Sequence, residues 1–149
     1  MTEIKALDAV SGHQGSMLLD VRLLSPDDAM PTFALARLYE STLTPETWAA
    51  RLARSRSEGG VFGGFAGAMP RALLSYDVAL TSADLEILVV RWVTAFDLID
   101  PHRIAADLVA AVQARQTAAG GFVAWAPDPA CHADFEAAVT GGAVLHSVL

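Results

Sequence analysis

The side chains able to do chemistry are few and mostly scattered. Cys131, His132 and Asp134 supply the residue types of a thiol nucleophile, its base and an orienting carboxylate. Adjacent residues on a helix project about 100° apart, so Cys131 and His132 cannot share the hydrogen bond that such a mechanism needs, and chance composition is the better account. The four histidines, His13, His102, His132 and His146, lack metal-ligand spacing, and no metal site is implied. Gly59-Gly60 and Gly63-Gly64 do not stand between a strand and a helix, which argues against a phosphate loop. The most informative cluster is Asp100-Pro101-His102-Arg103, a capping carboxylate, a proline at the first helical position and two basic residues. A helix N-terminus favours anions, and here it carries both an anion of its own and an arginine able to pair with phosphate. Glu86 and Asp97 are the acids nearest the strand that leads into this turn, with Asp77 on the preceding strand; each also reads as a strand-end or loop charge.

The element that positions this cluster is the stretch Leu85–Trp125. It begins as a long β-branched and aromatic strand (Ile87, Val89, Val90, Trp92, Val93, Thr94), as a strand buried on both faces should. A helix follows, with Ile104, Leu108, Ala111 and Val112 at helical spacing, then a Gly120-Gly121 stop and a short second strand. Strand, tight turn, helix and strand make a βαβ unit. Upstream, residues 1–16 read as a flexible arm, and residues 17–149 as a single domain. Residues 17–24 predict a first strand. Ser25-Pro26 and Thr44-Pro45 open two helices, the first kinked or restarted at Pro31, the second running to about Ser57 with Trp48 and Leu52 inward. Arg51, Arg54 and Arg56 on that helix read as a solvated face. Strands follow at residues 61–67 and 72–80, joined as antiparallel hairpins. Asp128-Pro129 opens a fourth helix with Phe135 and Val139 as anchors, and residues 143–149 predict a terminal strand. The order is β-α-α-β-β-β-α-β-α-β: an α/β protein with a mixed, mostly antiparallel sheet of about six strands and four helices.

Composition narrows the class. At 149 residues with 53% hydrophobic and 18% charged side chains, the chain can bury a core of its own. A net charge of −7 argues against nucleic acid or an anionic membrane as the main partner. No run of about eighteen apolar residues is long enough to span a bilayer, and no secretory signal is visible at the N-terminus. With a single cysteine, Cys131, a cytoplasmic location is expected.

The element order, together with Arg103–Val112 and Asp134–Gly142, resembles the GNAT-type (GCN5-related) N-acetyltransferases over nearly the whole chain from Met17. The resemblance implies an acyl-CoA-dependent transfer of an acyl group, from acetyl-CoA or another acyl-CoA, to a small-molecule or protein amine. It implies that the fourth and fifth strands splay to admit the pantetheine arm, and that a loop before the third helix grips the pyrophosphate. The family's loop reads Gln or Arg, two residues, Gly, one residue, Gly or Ala. On Asp100–Ala105 only Ala105 satisfies it, so the loop is degenerate. Cofactor contacts are expected from the backbone of Thr94, Ala95 and Phe96 and from His102, Arg103, Ile104 and Ala105. The strand-four carboxylate that commonly deprotonates the amine is missing between Val90 and Ala95, leaving Glu86 and Asp97 as weak candidates. Phe135 stands where the family's last helix often places a tyrosine. These losses together leave a catalytically inactive binding, regulatory or assembly module as the alternative. The C-terminal strand, carrying Val144, Leu145 and Val148, leaves a sheet edge at which a homodimer is expected.

Overall fold

In the computed structural model, which describes residues 19–126 and 146–147, the chain forms a sheet whose strands lie side by side in sequence order. The strands are β1 (Asp20–Leu23), β2 (Gly59–Ala66), β3 (Met69–Leu80), β4 (Glu86–Ala95), β5 (Phe122–Trp125) and β6 (His146–Ser147). Neighbours from β1 to β4 are antiparallel, whereas β4–β5 and β5–β6 are parallel. Two helices, α1 (Ala29–Tyr39) and α2 (Pro45–Leu52), lie between β1 and β2, and α3 (Pro101–Ala118) joins β4 to β5. This is the mixed, mostly antiparallel α/β sheet that the sequence predicts. The fourth helix, the Cys131-His132-Asp134 cluster, Phe135 and the N-terminal arm lie outside the described residues.

The helix boundaries follow from local chemistry. Ser25 caps a short 3-10 turn at Pro26–Asp28, and the α-helix proper starts at Ala29. The restart puts Pro31 in the first helical turn, where a missing N–H costs no hydrogen bond. The second helix is shorter than expected, ending at Leu52, and Gly59-Gly60 open β2. β3 likewise begins earlier, at Met69, because Gly67 takes φ of 61° and lets the chain reverse within residues 67–68. At the end of α3, Gly120 at φ of 82° donates to the Thr117 carbonyl and Gly121 donates to that of Gln116, which closes the last turn with a left-handed cap.

The sheet is sandwiched. On one face α3 buries Ile104, Ala105, Leu108, Val109 and Val112 against Leu74, Val90, Val93 and Val123. Ala111 is only half-buried; the buried stripe runs through Ala105, Val109 and Gln116 instead. On the other face α1 and α2 bury Leu35, Ala36, Tyr39, Trp48 and Leu52 against Val61, Phe65, Leu73 and Trp92. Thr32, fully buried, takes the Trp48 indole N–H at 3.0 Å and passes its own hydroxyl proton to the Asp28 carbonyl at 2.7 Å. That pair pins α2 to α1.

β4 has one irregularity that matters for everything below. Ser75 faces Trp92 and Tyr76 faces Val90, so Arg91 is an extra residue. The bulge shifts the alternation of side chains. Before it, Leu88 and Val90 point to the α3 face; after it, Val93 and Ala95 do, and Trp92 goes to the other face. Without an inserted residue, Val90 and Val93 could not share one core.

Candidate functional site

The parallel pairing of β4 with β5 covers only Ile87–Val90 against Phe122–Trp125, and the Ala126 amide closes it by donating to the Val90 carbonyl at 3.1 Å. From Arg91 onward β4 bends at its bulge and runs to Ala95, paired on its β3 side alone among the described residues. Beyond Val90 the β5-side edge of β4 is therefore a candidate cleft, with no neighbouring strand among the described residues. Strand alternation says which backbone groups face it. The Phe96 amide donates to the Arg71 carbonyl of β3 at 2.8 Å, so in an antiparallel ladder Thr94 also turns inward and Val93 and Ala95 turn outward. Val93 and Ala95 therefore present their N–H and C=O groups to the cleft.

Of the strand residues singled out from the sequence, Ala95 faces the cleft through its backbone, while Thr94 and Phe96 spend their amides on β3. Val93, which no sequence signal singles out, turns its backbone the same way as Ala95, because Arg91 is an inserted residue. Trp125, on the last paired rung, buries its indole with Nε1 lacking a hydrogen-bond partner among the described residues.

The first turn of α3 stands at the same end of β4, after a short connection. Asp97 forms a turn in that connection by accepting the Asp100 amide at 2.8 Å and the Ile99 amide at 3.0 Å, and these bonds hold its carboxyl below the usual carboxylate range. It is structurally committed rather than poised as a base. Asp100 caps the helix, its Oδ1 accepting the Arg103 amide at 3.1 Å. Ile104 donates to the Asp100 carbonyl at 3.4 Å, and the side chains of Ile104 and Ala105 lie in the core. What the turn offers outward is two exposed side chains, His102 and Arg103. Arg103 makes no ion pair among the described residues, and Asp107, one turn on, has its carboxyl pushed up by burial.

Glu86 is far from all of this. It sits at the opposite end of β4 and accepts the Gln116 side-chain amide at 3.2 Å, tying the end of α3 to the start of the strand. Asp77 on β3 is nearer the bulge, but both of its oxygens are engaged, Oδ1 by Arg54 at 3.1 Å and Oδ2 by Arg91 at 3.7 Å. Arg51 in turn pairs with Glu40 at 3.2 Å. Thus Arg51 and Arg54 stay partly exposed, as a solvated face would, but pair with Glu40 at the end of α1 and Asp77 on β3. Among the described residues no group of His, Cys, Asp and Glu could hold a metal ion, and no helix is long and apolar enough to cross a membrane.

No family model matches the sequence. No curated protein shows significant sequence similarity to it. Solved structures do resemble it. A ribosomal-protein-alanine N-acetyltransferase from Brucella melitensis biovar Abortus superposes with a TM-score of 0.62 at 16% identity, over 74% of this chain and 81% of that one. An aminoglycoside acetyltransferase from an uncultured soil metagenomic sample, in complex with sisomicin, gives 0.65 at 15% identity, over 89% and 92%. A putative acetyltransferase from Agrobacterium tumefaciens gives 0.61 at 17% identity, over 87% and 96%. The chain has the fold of these acetyltransferases, as its element order predicts.

Proposed function

We propose that the protein is an acyl-CoA-dependent N-acyltransferase whose cleft between β4 and β5 receives the pantetheine arm of the coenzyme. The observation that supports this most directly is that, among the described residues, β4 has no neighbour on its β5 side beyond Val90. Its outward amides at Val93 and Ala95 are backbone groups of a buried strand, and such groups require partners. An extended amide-bearing chain supplies them in the manner of an added strand. The fit is uneven along the cofactor. The open edge suits the pantetheine arm, whereas the α3 N-terminus is already capped by Asp100, so the pyrophosphate falls to the Arg103 guanidinium and the His102 ring rather than to helix amides.

When bound, the coenzyme supplies an acyl thioester: the acceptor nitrogen bonds to the acyl carbon as the carbon–sulfur bond breaks, the amine losing one proton and the thiolate gaining one. This chain's part is binding and alignment. Val93 and Ala95 fix the arm, the bulge at Arg91 opens the way from the other face of the sheet, and Trp92, stacked on Tyr39 with ring centroids 4.3 Å apart, holds the bulge rigid. Neither Glu86 nor Asp97 is placed to take a proton at the cleft. The outer edge of β6, unpaired among the described residues, also suits a homodimer, and a clean monomer in sedimentation at micromolar concentration would remove that part of the reading. The test of the function is calorimetric titration with acetyl-CoA. Micromolar binding that weakens in Arg103→Ala supports it; absence of binding at millimolar coenzyme leaves a fold that has lost its cofactor and serves as a binding module.

A further inference from the structure

The α1/α2 face of the sheet carries a cavity of about 400 Å³ directly over the bulge. Its charged lining is three arginines, Arg51, Arg54 and Arg91, against two acids, Glu40 and Asp77. The arginines come from different places in the chain. Arg51 is on α2, Arg54 follows its end, and Arg91 is the extra residue of β4. Each keeps roughly a third or more of its side chain exposed, so their guanidiniums remain accessible from the cavity. Arg54 and Arg91 share the Asp77 carboxylate, at 3.1 and 3.7 Å, and Arg54 also donates to the Glu58 carbonyl at 3.1 Å. A second carboxylate entering here would meet three guanidiniums against two acids, a surplus of one positive charge, and would compete with Asp77 for the N–H groups of Arg54 and Arg91. A polyamine would meet the opposite: acids already engaged and like charge on three sides.

We propose that this cavity is the acceptor site and that the acceptor is an amine that also carries a carboxylate. The inference rests on the acyltransferase reading for the word acceptor, while the carboxylate site stands on the cavity alone. Position links the two. Arg91 immediately follows Val90, the last residue of β4 paired to β5, and precedes by two residues Val93, the first amide facing the cleft. A carboxylate anchored at Arg91 and Arg54 leaves the amine of the same molecule directed at the bulge, where the cavity on one face and the cleft at the strand edge approach each other. Charge then selects the acceptor and the bulge aligns it.

The experiment is equilibrium binding by calorimetry without coenzyme. The probes are the proteinogenic α-amino acids and the straight-chain ω-amino acids from β-alanine upward, each against its own carboxamide, with spermidine as a polycation. At least one amino acid is expected to bind about tenfold or more tightly than its carboxamide, since that ratio corresponds to one good charge-assisted contact. Spermidine should not bind. Arg54→Gln and Arg91→Gln should each weaken the preferred amino acid by roughly tenfold, with Arg91→Lys falling between. Equal binding of acid and carboxamide, preference for spermidine, or no binding of any amino acid at millimolar concentration overturns the proposal, and these comparisons use the unaltered protein. A parallel acetyl-CoA titration separates the two readings. Discrimination among amino acids with no coenzyme binding sinks the acyltransferase and keeps the carboxylate site. Coenzyme binding without discrimination does the reverse.

Discussion

Asp100 and Arg103 are joined by a single hydrogen bond of 3.1 Å from the arginine amide to the aspartate Oδ1, while Arg103 itself is exposed. The pair puts a negative charge on the helix terminus and a positive one beside it, and the two act oppositely on a phosphate. Asparagine caps a helix about as well as aspartate, so Asp100→Asn should leave the melting temperature nearly unchanged. It should tighten acetyl-CoA binding about threefold or more, the worth of one charge at a helix end. Arg103→Ala should weaken it about tenfold. Calorimetry on both variants decides the matter, and identical affinities in all three proteins would refute an anion site at this turn.

The buried contact between Thr32 and Trp48 gives a stability prediction independent of function. Thr32→Val nearly preserves shape but leaves the indole N–H with no acceptor inside the core. The expected loss is about 1–3 kcal/mol, read as a lower urea midpoint with an unchanged slope. Thr32→Ser keeps the acceptor and should lose distinctly less. A larger loss in Thr32→Ser than in Thr32→Val would mean that the methyl group, not the hydrogen bond, matters here.

That contact also shows what a sequence can and cannot reveal. Trp48 facing inward, the caps at Thr44 and Asp100, and the glycine stop at Gly120 and Gly121 are local signals, and local signals are legible. So is the run Ile87–Thr94 as a central strand. The partner of Trp48 is sixteen residues away on another helix, and no local pattern points to it. The bulge is subtler. Arg91 looks like an ordinary polar residue in an apolar strand, yet being inserted there changes which later residues face the cleft. Hence Val93 and Ala95 turn their backbone groups away from β3 while Thr94 and Phe96 turn theirs toward it, an alternation that no local pattern displays. The acids that pair with Arg51 and Arg54 are equally hidden from local pattern, since they lie at the end of α1 and on β3.

Two carboxylates should move stability with pH in opposite directions. Asp28 accepts from Arg22 at 2.9 Å and from the Ser25 amide at 2.9 Å, and the arginine bond chiefly holds its carboxyl below the usual range. A depressed folded-state value means that its contribution is present above the ordinary carboxylate range and is lost as pH falls through the lowered one. With Arg22 half-exposed the contribution stays below about 1 kcal/mol. Asp28→Asn should therefore lower the melting temperature slightly at neutral pH and not in strong acid.

Asp107 runs the other way. Burial raises its carboxyl, and Oδ2 has no hydrogen-bond partner among the described residues. The protonated form fits the fold better, so stability from this group is present below the ordinary aspartate range and lost as pH rises through the raised value. Asp107→Asn should raise the melting temperature at neutral pH, with the gain disappearing in strong acid. A loss at neutral pH would show that the charge is used.

The cleft-facing edge of β4 also sets a clock on its own amides. Thr94 and Phe96 lend their protons to β3, but Val93 and Ala95, alternating with them, have no strand to lend to among the described residues. Exchange with deuterated water should therefore be fast, slow, fast, slow along residues 93–96. A molecule lying in the cleft would slow only the fast pair, so one short peptide of this strand reports occupancy without any assay of turnover.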